Sequence, residues 1–176
     1  KFGGTSLGTP ERVRRVATIV GSSRGRRPLV VVSAHSGVTD LLLGVAARAP
    51  DGEVDIREVV DRHREMLNGL ELPIDLVDPL LDELADLARG MRLVGEASPR
   101  AVDYLVSFGE RMSARIVAAA FSASGLPAVA VDAFDAGLRT DSAFGRARPV
   151  DDEGRIATWA AALAPAEPSA QDQAVA

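Results

Sequence analysis

The chain has 176 residues, which suits one domain or one lobe of a larger one. Hydrophobic residues make up 47% but aromatics only 4%, so Leu, Val and Ala must fill the core. The 20 basic against 25 acidic residues argue against a general nucleic-acid surface, and the absence of cysteine excludes disulfides and thiolate metal sites. No apolar run reaches the roughly 18 residues that a membrane span needs, and no signal peptide is visible. A soluble, cytoplasmic protein is the expectation.

The opening run, Lys1-Phe2-Gly3-Gly4-Thr5-Ser6, joins a lysine to paired glycines and hydroxyls. Glycines let a ligand approach the main chain, and amide N–H groups exposed in such a turn bind anions. A helix start just downstream would add its positive dipole end, and the lysine a full charge. The run reads as a phosphate seat or, more simply, as a tight strand-to-helix turn. It is not a P-loop, where lysine follows the glycines. The strand that would deliver this turn is expected upstream of Lys1.

Thr9-Pro10-Glu11 predicts a helix start, with Val13, Val16, Ala17 and Val20 on its buried face. Residues 21–27 read as a solvated basic loop carrying Arg24, Arg26 and Arg27. Residues 28–34 form a continuous β-branched run, predicted as a strand buried on both faces. It ends in the turn 35–40, and a buried helix follows over 41–49. Ligands of open α/β sheets bind at the carboxyl ends of strands, where Ser33 and Thr39 fall.

Ile56, Val59, Val60, His63, Leu67 and Leu70 predict a helix that Pro73 ends, with His63 as a packing residue. Val77, Leu80, Leu81, Leu84, Ala88 and Met91 predict another, whose Asp82, Glu83 and Asp86 face water. Two histidines do not supply a zinc site, and no metal ligands are assigned. Ser98-Pro99 opens a helix expected to break near Gly109. A second helical stretch carries Ser113, Ile116, Val117, Ala120 and Phe121 to a cap at Gly125. Residues 128–133 read as a third strand, 138–149 as an irregular loop with Thr140, Asp141, Arg146 and Arg148, and 156–163 as a short helix around Trp159. Glu110, following the expected break, would sit at a helix N-terminus, where its charge is favoured. A charged carboxylate there suits a substrate ammonium group.

Four segments together resemble aspartokinases, of the amino acid kinase family. They are Lys1–Ser6, Val-Val-Ser-Ala-His-Ser-Gly-Val-Thr-Asp ending at Asp40, Val-Ser-Phe-Gly-Glu-Arg-Met-Ser-Ala starting at Val106, and Arg-Thr-Asp-Ser-Ala-Phe-Gly-Arg-Ala starting at Arg139. The resemblance implies that Lys1 and the amides of Phe2, Gly3 and Gly4 hold ATP phosphates, Lys1 acting catalytically. Ser33 and Thr39 would lie near bound L-aspartate, and Glu110 would bind its ammonium. The implied reaction is phosphorylation of the aspartate side-chain carboxylate by MgATP. Such transfer needs alignment and electrostatic stabilisation rather than a covalent nucleophile. The alternatives are a kinase-derived binding module without activity, and a relative acting on another amino acid.

The expected fold is α/β, a three-layer sandwich with a mostly parallel sheet, helices on both faces and an inserted helical pair from about Asp55 to Gly95. Residues 1–164 would form the amino-acid-binding lobe and 165–176 a linker-like tail, with the nucleotide-binding half absent from this chain. Expected partners are aspartate and ATP, neither nucleic acid nor membrane, and further copies of the full-length chain. His35 stands where the family commonly has methionine or serine. It would be either a tolerated substitution or an influence on substrate choice and pH response.

Overall fold

The computed structural model describes residues 1–26 and 28–150, with the side chain of Arg26 left out. The basic loop at Arg26 and Arg27, the helix around Trp159 and the tail 165–176 therefore fall outside what is described below. The chain divides into two units, Lys1–Ala130 and Val131–Ala176.

In the first unit Phe2 pairs in parallel with Val32. Phe2 N–H donates to Val31 O (2.8 Å) and Ser33 N–H to Phe2 O (3.3 Å). Side chains alternate along a strand. Phe2, Val30 and Val32 pack against the core, while Leu29 and Val31 are 55% and 47% exposed. The expectation of burial on both faces is thus corrected: among the described residues the run is covered on one face only.

Helix α1 (Pro10–Gly21) starts as its sequence dictates. Thr9 Oγ1 accepts from Arg12 N–H, proline occupies the first turn, and Val13, Val16, Ala17 and Val20 are buried. The helix does not begin directly after the glycines, however. A 3-10 turn, Gly4–Leu7, intervenes, and so short a segment supplies little of the expected dipole. Helix α2 (Val38–Arg48) begins earlier than the apolar pattern suggested, because Gly37 takes the left-handed conformation (φ 84°) and turns the chain into the helix. Thr39 and Asp40 therefore lie in its first turn.

The expected helical pair is present as α3 (Arg57–Gly69) and α4 (Asp78–Val94). Its apolar faces are buried, with His63 fully so among them. Glu83 departs from expectation. It accepts from Tyr104 Oη–H and from Arg111 Nη2 (3.2 Å), tying α4 to its neighbour while its side chain stays 41% exposed.

Helix α5 (Pro99–Ala123) corrects the expected break, for it runs through Gly109 uninterrupted. A glycine inside a helix costs about 1 kcal/mol relative to alanine, so a reason is needed. The reason is close packing. A methyl group on Gly109 would lie 2.8 Å from Ala34 Cβ, 3.2 Å from Leu42 Cδ1 and 3.3 Å from Val38 Cγ1. Helix α5 is the centre of the unit and packs against α1, α2 and α4. No helix among the described residues is long and apolar enough to cross a membrane.

The predicted third strand, 128–133, forms no bridge among the described residues. Ala128 N–H donates instead to Ser122 Oγ (3.2 Å), folding the segment back on the end of α5. In the second unit, Leu138 N–H closes a turn on Ala133 O. The loop that follows is more ordered than its composition suggested. Thr140 pairs antiparallel with Pro149, and Asp141 Oδ1 accepts from the N–H groups of Ala143 (3.0 Å) and Arg148 (3.2 Å).

Candidate functional site

Three stretches far apart in sequence meet at the carboxyl end of the Phe2–Val32 pairing. The first contact is backbone on backbone. A methyl group on Gly4 would stand 2.8 Å from Ala34 O and 3.5 Å from Ser36 N, so only glycine fits. The second brings in α5, where Gly109 presses on Ala34. The next residue, Glu110, then reaches the strand end, and its Oε1 accepts from Ala34 N–H (3.3 Å). Glu110 is mid-helix, not at a helix N-terminus. Its contact is a main-chain amide donor at the strand end rather than a helix dipole.

Ser33 is partly buried, directly before Ala34, and Thr39 is exposed in the first turn of α2. Lys1 is exposed, directly before the bridge residue Phe2. Glu110 arrives from the core side. The geometry thus joins Gly4, Ser33, Ala34 and Glu110 closely, while Lys1 and Thr39 stand on the open rim without a side-chain hydrogen bond among the described residues. Among the described residues, one cleft lies beside Val45 and Asp55 and another beside Met91 and Ala101, both away from this junction.

The Phe2 amide corrects one expectation. Its N–H is already donated to Val31 O (2.8 Å) and cannot also bind a phosphate while that pairing stands. Of the three amides expected to meet phosphate, those of Gly3 and Gly4 lie outside this pairing.

Behind this rim lie Arg12 and Arg62, which no motif revealed, and His35, which stands in the second motif but whose partner the sequence did not indicate. Three carbonyls of the glycine loop receive side-chain donors: Thr5 O from Arg12 Nη1 (2.6 Å), Leu7 O from His35 Nδ1 (2.8 Å) and Gly8 O from Arg62 Nη2 (2.5 Å). His35 is 1% exposed, so its ring faces inward rather than into a ligand cleft. A carbonyl can only accept, so Nδ1 carries the hydrogen. Burial pushes the His35 imidazole down to about 4, against the pull of Leu7 O, with neighbouring His63 and Arg62 adding to the fall. His63 is also lowered by burial, and its Nδ1 donates to Val59 O (2.7 Å). The two rings lie 6.1 Å apart. No spacing in the sequence foretells that Arg62 would cross to Gly8.

A glycine loop against a parallel strand end, with a helix-borne carboxylate reaching the same end, is the arrangement this sequence builds. The sequence profile of the amino acid kinase family matches residues 1–163, and the chain belongs to that family. Proteins similar to it include aspartokinases. Bifunctional aspartokinase/homoserine dehydrogenase 1, chloroplastic, from Arabidopsis thaliana is 32% identical over 171 residues, covering 90% of this chain and 19% of that protein. Aspartokinase 1, chloroplastic, from the same plant is 32% identical over 151 residues, covering 82% of this chain and 26% of its own length. Among solved structures, E. coli aspartokinase III in complex with aspartate and ADP (R-state) superposes with a TM-score of 0.65 at 28% identity. That match covers 92% of this chain and 35% of the other. The chain therefore spans about a fifth to a third of the length of these proteins.

Proposed function

We propose that this chain is the amino-acid-binding lobe, residues 1–164, of an aspartate kinase that transfers the γ-phosphoryl group of ATP to the side-chain carboxylate of L-aspartate. The observation that carries the reading is the junction at Ala34, where the glycine loop, the Ser33 strand end and Glu110 meet within van der Waals or hydrogen-bond distance. The similarity to a kinase solved with aspartate and ADP supports the choice of substrates.

In this reading Gly3 and Gly4 offer amides to the phosphates, and Lys1 places a positive charge where charge develops on the transferring group. Ser33 and Thr39 border the aspartate, and Glu110 receives its ammonium. The phosphoryl donor in this reading is MgATP, whose magnesium takes phosphate oxygens among its ligands. The three-layer sheet expected from sequence belongs to the same proposal, with further strands pairing beside the Phe2–Val32 bridge.

The test is Lys1→Ala in the full-length enzyme. Turnover should fall by about 100-fold or more, in line with the loss of one stabilising charge, while the melting temperature stays put. Wild-type turnover in this variant would overturn the assignment.

A further inference from the structure

The opening loop is intrinsically loose. It carries glycines at 3, 4 and 8, and its main chain closes on itself through Ser6 N–H to Gly3 O (2.9 Å). Its shape must therefore be set from outside. Two of the outside donors converge on its far end from the helical pair and the strand-end turn. Arg62 of α3 donates to Gly8 O (2.5 Å), and His35 donates to the adjoining carbonyl, Leu7 O (2.8 Å). His63, one residue after Arg62, is fully buried with its ring beside that of His35.

Helix α3 is itself anchored. A methyl group on Gly69, at its C-terminal end, would come within 2.4 Å of Pro10 Cγ, and Arg14 Nη2 donates to Gly69 O (2.6 Å). One end of α3 is thus locked to the start of α1, and its middle grips the loop that precedes α1. Gly8 is held from a third side as well, since a methyl group there would lie 3.2 Å from Ser36 Cβ.

We propose that Arg62 and His35 are positioning residues that hold the Lys1–Gly8 loop in register with the strand end, so that α3 serves as a brace for nucleotide binding. Both side chains are engaged within the protein: His35 is buried, and Arg62 is turned to Gly8 O and to Glu65 (2.7 Å). The inference rests on the reading of this loop as the phosphate seat. Displacement of reacting groups by about 1 Å costs on the order of 100-fold in rate, so a loosened loop registers in kinetics before it registers in folding.

The experiment compares His35→Met, His35→Asn, Arg62→Leu and Arg62→Lys in the full-length enzyme, with Lys1→Ala and Leu81→Ala alongside. Steady-state constants for MgATP and aspartate and the melting temperature are measured for each. His35→Met and Arg62→Leu should each raise the KM for MgATP or lower kcat by about 10-fold, with the KM for aspartate within about twofold of wild type. His35→Asn, whose amide can donate in place of Nδ1–H, and Arg62→Lys should recover part of the loss. Leu81→Ala, a core truncation in α4 away from the loop, should lower the melting temperature but leave both KM values alone. If Leu81→Ala matched the kinetic defect, the brace would be mere stability and the proposal would fail. It would also fail if both His35→Met and Arg62→Leu kept wild-type constants while Lys1→Ala was inactive. Should His35→Met not fold, the Arg62 pair decides by the same criteria. An active Lys1→Ala would instead remove the phosphate-seat reading, and the brace proposal with it.

Discussion

Replacing Gly109 by alanine sets two opposing effects against each other. Alanine is the better helix former by about 1 kcal/mol, and Gly109 lies well inside α5. On propensity alone the variant would be more stable. The added methyl group, however, would stand 2.8 Å from Ala34 Cβ, where carbon atoms prefer about 3.5–4.0 Å. It would also crowd Leu42 and Val38 at 3.2 and 3.3 Å, and all three neighbours are buried. Relief requires a shift of roughly 0.7–1.2 Å at this contact, and such overpacking costs typically 1–3 kcal/mol. Because Ala34 carries its methyl on a stiff strand end, the upper part of that range applies. The net expectation is a destabilisation of about 1–2 kcal/mol, or a fall in melting temperature of about 2–8 °C for a chain of this size. Urea and thermal unfolding followed by circular dichroism measure it. The double variant Gly109→Ala/Ala34→Gly removes the shortest contact and should show a favourable coupling of about 1 kcal/mol relative to the sum of the single variants. Equal or greater stability in Gly109→Ala alone, or no coupling in the double variant, would refute the close crossing.

Glu110→Gln keeps an oxygen that can accept from Ala34 N–H but discards the charge. It should fold normally and, in the full-length enzyme, raise the KM for aspartate about 10-fold or more. Unchanged aspartate kinetics would remove Glu110 from the substrate site. Glu71 occupies the left-handed position (φ 59°) after α3, where Leu72 N–H bonds to Leu67 O and Glu71 N–H to Asn68 O. Glu71→Gly should stabilise by about 0.5–1 kcal/mol, the relief of left-handed strain less the entropy of glycine, seen as a higher urea midpoint. His35 is neutral in the folded chain down to about 4, whereas an unfolded histidine takes up its proton near 6.5. Stability from this group is fully present above pH 6.5 and is lost as pH falls from 6.5 towards 4, about 3 kcal/mol in all. Urea midpoints between pH 7 and 4.5 should fall less steeply in His35→Met, and identical slopes would count against a buried neutral imidazole.

What could be read in the sequence was whatever depends on local patterning. The buried faces of α1, α3 and α4 follow from apolar spacing, and the starts of α1 and α5 follow from Thr9-Pro10 and Ser98-Pro99. The cap after α5 was legible for the same reason. Gly125 takes the left-handed conformation (φ 76°), and Leu126 N–H returns to Phe121 O (2.9 Å). The same motif after α3 was hidden, because a glutamate stands where glycine is usual. Gly109 misled in the opposite sense. A glycine in an apolar run reads as a break, yet here it marks a contact with a residue 75 positions earlier (109 minus 34), which local spacing cannot report. The strand at 128–133 had the right composition but no partner among the described residues, and pairing, not composition, makes a strand.

The same distinction explains which parts of the site were foreseeable. Lys1, the glycines, Ser33 and Glu110 announce themselves because, in the proposed reading, phosphates and ammonium groups need particular chemistry at the surface of contact. Arg12 and Arg62 do not, because they work on carbonyl oxygens, which every residue offers alike; His35 was visible in its motif, but its partner Leu7 O was not, for the same reason. Their selection is purely geometric. It depends on where α1 and α3 lie, and Gly69 against Pro10 fixes that. The glycines that let the loop approach a ligand also deprive it of side chains with which to hold itself. A loop built in this way can be precise only if its neighbours carry the precision, and the donors that do so must come from outside the motif.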